Sequence, residues 1–94
     1  MLARIKKQSS SHRGRLDIIA DILDASFEGV KKTYLMYRCN LSFKQLKFYL
    51  ELLLNKKLLQ IVRDNKASNP GLFKITRKGK EFLEAYKGLK GLMK

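Results

Sequence analysis

The sequence contains few of the residues that build covalent or metal-based sites. Among its 94 residues, one is a cysteine, Cys39, and one is a histidine, His12. A single cysteine excludes an internal disulfide, and one cysteine with one histidine supplies no ligand set for a zinc site. We therefore expect Cys39 to be a small buried side chain, and we expect no metal or other cofactor.

Long apolar segments and catalytic residue sets are also missing. No apolar run approaches the roughly 18 residues that suggest a membrane span, and the first 15 residues lack the apolar centre of a secretory signal. The chain offers no activated nucleophile, no histidine paired with a carboxylate and no glycine-rich phosphate loop. These absences predict a cytoplasmic protein, associated with the nucleoid, that has no enzymatic activity and no membrane partner.

Acidic residues are scarce relative to basic ones. The chain has 21 lysines and arginines against 8 aspartates and glutamates, which gives a net charge of +13. The hydrophobic fraction of 45% is ordinary for a folded protein and argues against a disordered basic peptide. The length and composition therefore predict one small folded domain with a polyanionic partner.

Helical spacing of apolar residues recurs in three segments of the first half of the chain. The spacing predicts a first helix over about 15–27, a short second helix over 32–39 and a third over about 43–56. Gly29 stands where a left-handed C-terminal cap would follow the first helix. Asn40 tolerates the turn conformation that would end the second.

The period changes from helical to alternating after residue 57. Segments 59–62 and 72–76 read as two antiparallel strands, joined by a polar, turn-rich loop over 64–71. Thr76 is a suitable cap for a last helix, and residues 88–94 form the end of that helix or a tail. The order of elements predicts an α+β, mainly α, winged helix-turn-helix fold: a three-helix core, a two-stranded wing hairpin and a C-terminal helix over residues 15–87.

The third helix has an apolar side and a charged side, and Phe48 lies on the charged side. Ser42 precedes this helix as a favoured N-cap residue. In a winged helix the third helix enters the major groove of duplex DNA. There Lys44 and Lys47 are expected to reach guanine or phosphate, Gln45 a base edge and Phe48 a thymine methyl group. An alternative for Phe48, half burial under the wing or against another subunit, stays open.

The hairpin loop and the N-terminal segment are the other predicted contacts. Arg63, Lys66 and Asn69 are expected to meet phosphate oxygens, against the alternative of a solvated loop. Residues 1–14 carry four basic residues and no acidic one, so they predict a flexible basic arm. Arg13 and its neighbours could enter a minor groove, or the arm could have no set role; both readings stay open.

Three segments carry a resemblance to a known family, and one of them is LDIIADILDAS in the first predicted helix. Together with the stretch KKTYLMYRCNLSFKQLKFYLELLLNKKLLQI and the ending FKITRKG, it resembles the small archaeal winged-helix DNA-binding proteins, which include basic chromatin-associated proteins and predicted transcription regulators. The resemblance covers residues 15–87 and implies a transcription regulator or nucleoid-associated protein. With the residues above it gives a predicted DNA-binding set of Arg13, Thr33, Ser42, Lys44, Gln45, Lys47, Phe48, Arg63, Lys66 and Asn69.

The same resemblance implies a homodimer, since members often pair through a long C-terminal helix. This chain departs from that pattern, because only 15 residues follow Gly79 and two of them are glycine. A shorter helix pair remains the expectation. Its predicted contact residues are Phe82, Leu83, Tyr86 and Leu89.

Two other functions fit the sequence. A basic winged helix can bind structured RNA through the same positive surface, and composition does not separate the two. The second alternative is a protein-interaction domain, in which the positive charge serves solubility. The residues that would anchor the partner are Phe48, Leu52, Ile18 and Ile22.

Overall fold

The computed structural model describes residues 13–63 and 71–93. The helices and strands follow the predicted order, and the predicted fold class is confirmed. The predicted arm up to residue 12 and the hairpin loop over 64–70 lie outside the described residues. The elements are α1 (Arg15–Ala25), α2 (Lys32–Arg38), α3 (Phe43–Asn55), β1 (Leu59–Val62), β2 (Leu72–Ile75) and α4 (Arg77–Leu92).

Helix α1 lies in the middle of the domain and is covered on more than one side. Ile18 and Ile22, on one side, and Ile19 and Leu23, on another, are all buried, so both apolar sides of α1 are covered within the chain. Leu16 and Phe27 share the helical spacing of Ile19 and Leu23, but they are 59% and 41% exposed. Leu16 lies in the first turn of α1, and Phe27 follows the helix, which ends at Ala25. Both side chains are therefore at the margin of the core.

The turn between α2 and α3 forms as predicted. Asn40 adopts a left-handed conformation with φ 56°, which its short polar side chain tolerates. The Ser42 hydroxyl accepts a hydrogen bond from the Gln45 backbone N–H at 3.1 Å and caps α3. This short connection makes the two helices cross sharply.

The inner side of α3 supplies a large part of the core. Leu46, Leu50 and Leu53 are buried as the spacing predicts, and Tyr49, which lies at the edge of that stripe, is only 6% exposed. Phe43 shares the phase of this stripe but is 57% exposed, because it is the first residue of the helix and extends beyond the core. The opposite side of α3 is left to solvent.

The hairpin has a third, single-residue partner that the sequence did not reveal. Strands β1 and β2 pair antiparallel, with Leu59 opposite Ile75. Val30 forms a bridge to Phe73 through two backbone hydrogen bonds of 2.9 and 2.8 Å, and the Ile75 N–H donates to the Ser26 carbonyl at 2.9 Å. The segment between α1 and α2 therefore lies along the outer edge of β2.

Helix α4 starts in close contact with the beginning of the hairpin. The Thr76 hydroxyl accepts a hydrogen bond from the Gly79 N–H at 2.9 Å, which confirms the predicted cap, and it donates to the Lys57 carbonyl at 2.7 Å. A side chain at Gly79 would lie 2.3 Å from the Leu58 carbonyl oxygen. In the Thr-x-x-Gly pattern, Thr76 therefore caps α4 and Gly79 allows α4 to lie close to the backbone at Leu58.

Helix α4 packs against α1 and β2 and continues to Leu92. The residues predicted as the helix end or a tail, 88–92, are therefore helical. Within residues 13–63 and 71–93, no helix is long and apolar enough to cross a membrane.

Candidate nucleic-acid interface

The α3 outer face, defined by Lys44, Gln45, Lys47 and Phe48, is exposed at all four residues. It lies opposite the buried leucines of α3, so the packing of the helix fixes its direction. Lys44, Gln45 and Phe48 line a shallow cavity of about 320 Å³. The structure thus brings together most of the side chains predicted to meet DNA on this helix.

Phe48 is half buried among side chains of its own domain. Its ring packs edge to face against Tyr49, with centroids 5.1 Å apart and planes at 82°. The Arg15 guanidinium carbon lies 5.6 Å from the centroid of the same ring. The exposed fraction is 48%, so part of the ring remains open on the charged side of α3.

Arg15 is a component of this face that sequence analysis missed. It is the first residue of α1, and it lines the cavity together with Phe48 and Lys44. Arg15 and Phe48 are 33 positions apart in the chain, so no local pattern links them. The packing of α1 against the helix-turn-helix brings this cation to the face.

Gln45 has less freedom than the sequence analysis assumed. Its side-chain Oε1 accepts a hydrogen bond from the Ser42 N–H at 2.9 Å, reciprocal to the bond from the Gln45 N–H to the Ser42 hydroxyl. Only the side-chain NH₂ group remains available as a donor. The Ser-x-x-Gln spacing is the signature of such a capping box, so the signal was present in the sequence.

Arg13 requires a correction. The prediction gave it to a free arm that could enter a minor groove, but its guanidinium donates to the Asp21 carboxylate at 2.7 Å and to the Cys39 carbonyl at 2.8 Å. The side chain is only 20% exposed. Arg13 therefore ties the start of α1 to the end of α2, and the structured domain begins at least two residues before Arg15.

Three of the remaining predicted DNA contacts are exposed in the structure. Thr33, in the first turn of α2, and Ser42 are exposed, although the Ser42 hydroxyl is engaged as a cap. Arg63 is exposed directly after β1. Lys66 and Asn69 lie outside the described residues.

The predicted dimer contacts divide into two groups. Leu83 is 3% exposed and belongs to the core of its own chain, so it is not a surface residue. Phe82 and Tyr86 are partly buried against that core, whereas Leu89 is 61% exposed. All four were predicted to have the same role, because spacing identifies the phase of a helix but not what covers it.

Two titratable groups link α1 to α4. The Tyr86 hydroxyl donates a hydrogen bond to the Asp17 carboxylate. This bond, followed by one from the Gly14 backbone, holds the pKa of Asp17 below its usual value, and the same bond raises the pKa of Tyr86 to about 12.

Burial raises the pKa of the Cys39 thiol to about 11, so this buried cysteine stays protonated near neutral pH. No group of three potential metal ligands occurs in the part of the chain that the structure describes.

Comparison with known proteins gives one family and a set of similar folds. The winged helix-turn-helix family profile matches residues 12–94. Sso10a-2, a DNA-binding protein from Sulfolobus solfataricus, is 24% identical with a TM-score of 0.71 over 86% of this chain and 82% of that one. The transcriptional regulator BldR from Sulfolobus solfataricus is 26% identical with a TM-score of 0.74 over 98% and 73%.

A third similar structure is MepR from S. aureus in complex with DNA, which is 17% identical. It has a TM-score of 0.71 over 97% of this chain and 74% of that one. No curated protein sequence matches the chain.

Proposed function

Because the chain belongs to the winged helix-turn-helix family, we propose that it binds double-stranded DNA as a transcription regulator or nucleoid-associated protein. The α3 outer face lies in the major groove, and the hairpin lies against the phosphate backbone. The observation that carries this proposal is the exposure of Lys44 and Lys47 on the second helix of the helix-turn-helix, directly opposite its buried side.

Charge supports the same partner. The net charge of +13 gives the protein a positive field that attracts a polyanion, and phosphate contacts dominate the affinity of such complexes. Arg63 extends these contacts from the end of β1, and Lys66 and Asn69 remain proposed phosphate contacts in the loop. The neighbours Sso10a-2, BldR and MepR support the proposal as DNA-binding or regulatory proteins of the same fold.

We also propose that the active form is a homodimer joined through α4. Leu89, Leu92 and Met93 are 61%, 85% and 78% exposed, which leaves an apolar end of α4 that a second copy could cover. Two α3 helices would then act on one duplex. Light scattering at several protein concentrations tests this, since a mass of one chain at all concentrations would reject it.

Salt-dependent binding to a duplex tests the central proposal. If about six phosphates are neutralised, the logarithm of affinity falls against the logarithm of salt with a slope near −5. Replacing Lys44 and Lys47 by alanine removes two such contacts, which should flatten the slope by about 2 and lower affinity roughly 60-fold at ~0.1 M salt.

The matched control is Lys80→Ala with Lys87→Ala, which removes the same charge from α4. Lys80 lies over the Phe27 ring and Lys87 pairs with Asp24 of α1, and neither lysine lines the cavity on the α3 outer face. We expect the salt-dependence slope of this control to stay within about 1 of the wild-type slope, which corresponds to about one phosphate contact. Equal losses in the two double variants would show that net charge alone, and not α3, carries binding.

Competition with duplex RNA tests the choice of nucleic acid. The major groove of A-form RNA is too deep and narrow for α3 to enter. RNA that competes as well as DNA of equal length would therefore reject the groove assignment. A flat salt response, or no duplex binding at ~50 mM salt, would favour a protein partner instead.

A further inference from the structure

We propose that Phe48, Arg15 and the free amide of Gln45 form a pocket that recognises thymine through its 5-methyl group and O4. This inference rests on the proposed binding of duplex DNA and adds a base preference to it. The pocket is the cavity of about 320 Å³ on the α3 outer face, bounded by Arg15, Lys44, Gln45, Phe48 and Tyr49.

The apolar part of the pocket is a ring held in one position. Tyr49, which is 6% exposed and belongs to the core, presents its ring at 82° to Phe48, and Arg15 lies over the Phe48 ring from α1. Contacts from two helices restrict the ring before any DNA arrives, so little side-chain entropy is lost on binding. A fixed aromatic surface on a cationic face suits an apolar group in the groove.

Thymine is the base that supplies this group. In the major groove the four bases present hydrogen-bond donors and acceptors, and only thymine adds a methyl group, next to its acceptor O4. An exposed phenylalanine gains nothing from the polar edge of guanine, adenine or unmodified cytosine. Methyl recognition also accounts for Phe48 on a face where every other residue is polar or charged.

Gln45 supports the same base through its restricted hydrogen bonding. Its Oε1 already accepts a hydrogen bond from the Ser42 N–H, so the two-bond pairing of glutamine with adenine would have to share this oxygen with the cap of α3. The remaining NH₂ group can donate to a lone acceptor. An acceptor beside a methyl group is the major-groove edge of thymine.

Arg15 acts as a positioning residue for Phe48. Its guanidinium carbon lies over the ring, 5.6 Å from the ring centroid, an arrangement that is favourable for an arginine and restrains the ring. Loss of this cation would let the ring move. Replacing Arg15 should therefore reduce the discrimination between bases. If Arg15 only contacted phosphate, its replacement would leave that discrimination unchanged.

Removing only the methyl group tests the inference directly. We compare affinities for an A·T-rich duplex and for the same duplex with deoxyuridine in place of thymine, which keeps O4 and all base pairing. The expected ratio is about fourfold for each methyl group in contact, equivalent to about 0.8 kcal/mol for one buried methyl. Methylation of cytosine at C5 in a G·C-rich duplex should raise affinity in the same direction.

Variants separate the pocket from changes in the duplex itself. Phe48→Ala should bring the thymine-to-deoxyuridine ratio close to one. Arg15→Gln should lower the ratio and Arg15→Lys should preserve part of it. Tyr37→Ala is the matched control, because Tyr37 is an aromatic residue on the neighbouring α2 that is 81% exposed, and it should leave the ratio unchanged.

The outcomes distinguish this inference from the proposed function. Tight, salt-dependent binding with equal affinity for both duplexes overturns the thymine pocket and leaves DNA binding in place. Absence of duplex binding at ~50 mM salt overturns both. A thymine-to-deoxyuridine affinity ratio that persists in Phe48→Ala but is lost in Phe43→Ala overturns the pocket and places the methyl contact at the start of α3. If Arg15→Gln lowers the affinity for both duplexes equally, the positioning role of Arg15 is rejected.

Discussion

Replacement of Gly79 by alanine should destabilise the domain, although alanine is the better helix former. A Cβ atom at this position would lie 2.3 Å from the Leu58 carbonyl oxygen and 2.7 Å from the Ile75 Cγ1 atom. The nearest neighbour is backbone, so relief requires α4 to move away from the hairpin. Such overpacking costs about 1–3 kcal/mol, and more where the backbone resists, while the gain in helix propensity is about 1 kcal/mol.

Because the clash is with backbone, we take the upper end of about 3 kcal/mol, and subtracting about 1 kcal/mol of helix propensity leaves a net loss of about 2 kcal/mol. This corresponds to a lower Tm by about 8–16 °C for a domain of this size. Urea denaturation followed by circular dichroism measures it. Gly88→Ala is the control within the same helix, since a Cβ atom there meets nothing within 4 Å, and it should stabilise by about 0.5–1 kcal/mol. If both variants gain stability, the close approach of α4 to Leu58 is incorrect.

Three further predictions test individual contacts. Ser42→Ala removes the cap of α3 and should cost about 1 kcal/mol of unfolding free energy, seen as a Tm lower by about 4–8 °C; no change would mean that the capping box is not formed. Stability should fall as pH drops below 3.8, because the pKa of Asp17 is lower in the folded protein than in the unfolded chain. It should fall again as pH rises from 10.0 to about 12, because the pKa of Tyr86 is higher in the folded protein. Tyr86→Phe should weaken both pH dependences in urea titrations. Arg13→Ala should cost about 1–2 kcal/mol while leaving DNA affinity of the folded protein unchanged in fluorescence anisotropy, and a large loss of affinity would restore Arg13 to the DNA-binding set.

Local signals in the sequence predicted the parts of the fold that depend on near neighbours. Ser42 and Thr76 cap the helices that follow them, and Asn40 adopts the left-handed turn, because each of these roles is fixed within three or four residues. The buried phase of α3 follows from its period. Together these signals were enough for the order of the elements and for the identity of the α3 outer face.

Contacts between distant segments were not predictable in this way. The approach of Arg15 to Phe48, the bond from Arg13 to the Cys39 carbonyl and the pairing of Val30 with Phe73 all depend on how whole elements pack. Helical phase also failed at the margins of the core. Phe43 shares the phase of the buried side of α3 but is exposed, and Leu83, predicted as a dimer contact, is buried in its own chain. Phase says which way a side chain points but not how far the neighbouring element extends.

The position of Val30 has a consequence for self-association in concentrated solution. With Ser26 and Val30 bonded to β2, that strand has no open edge at Phe73 or Ile75 for an incoming extended chain. In the described part of the hairpin only β1 is left without an outer neighbour, and it is four residues long. Edge-to-edge growth of sheets therefore has little backbone to start from, which favours a protein that stays dispersed at high concentration.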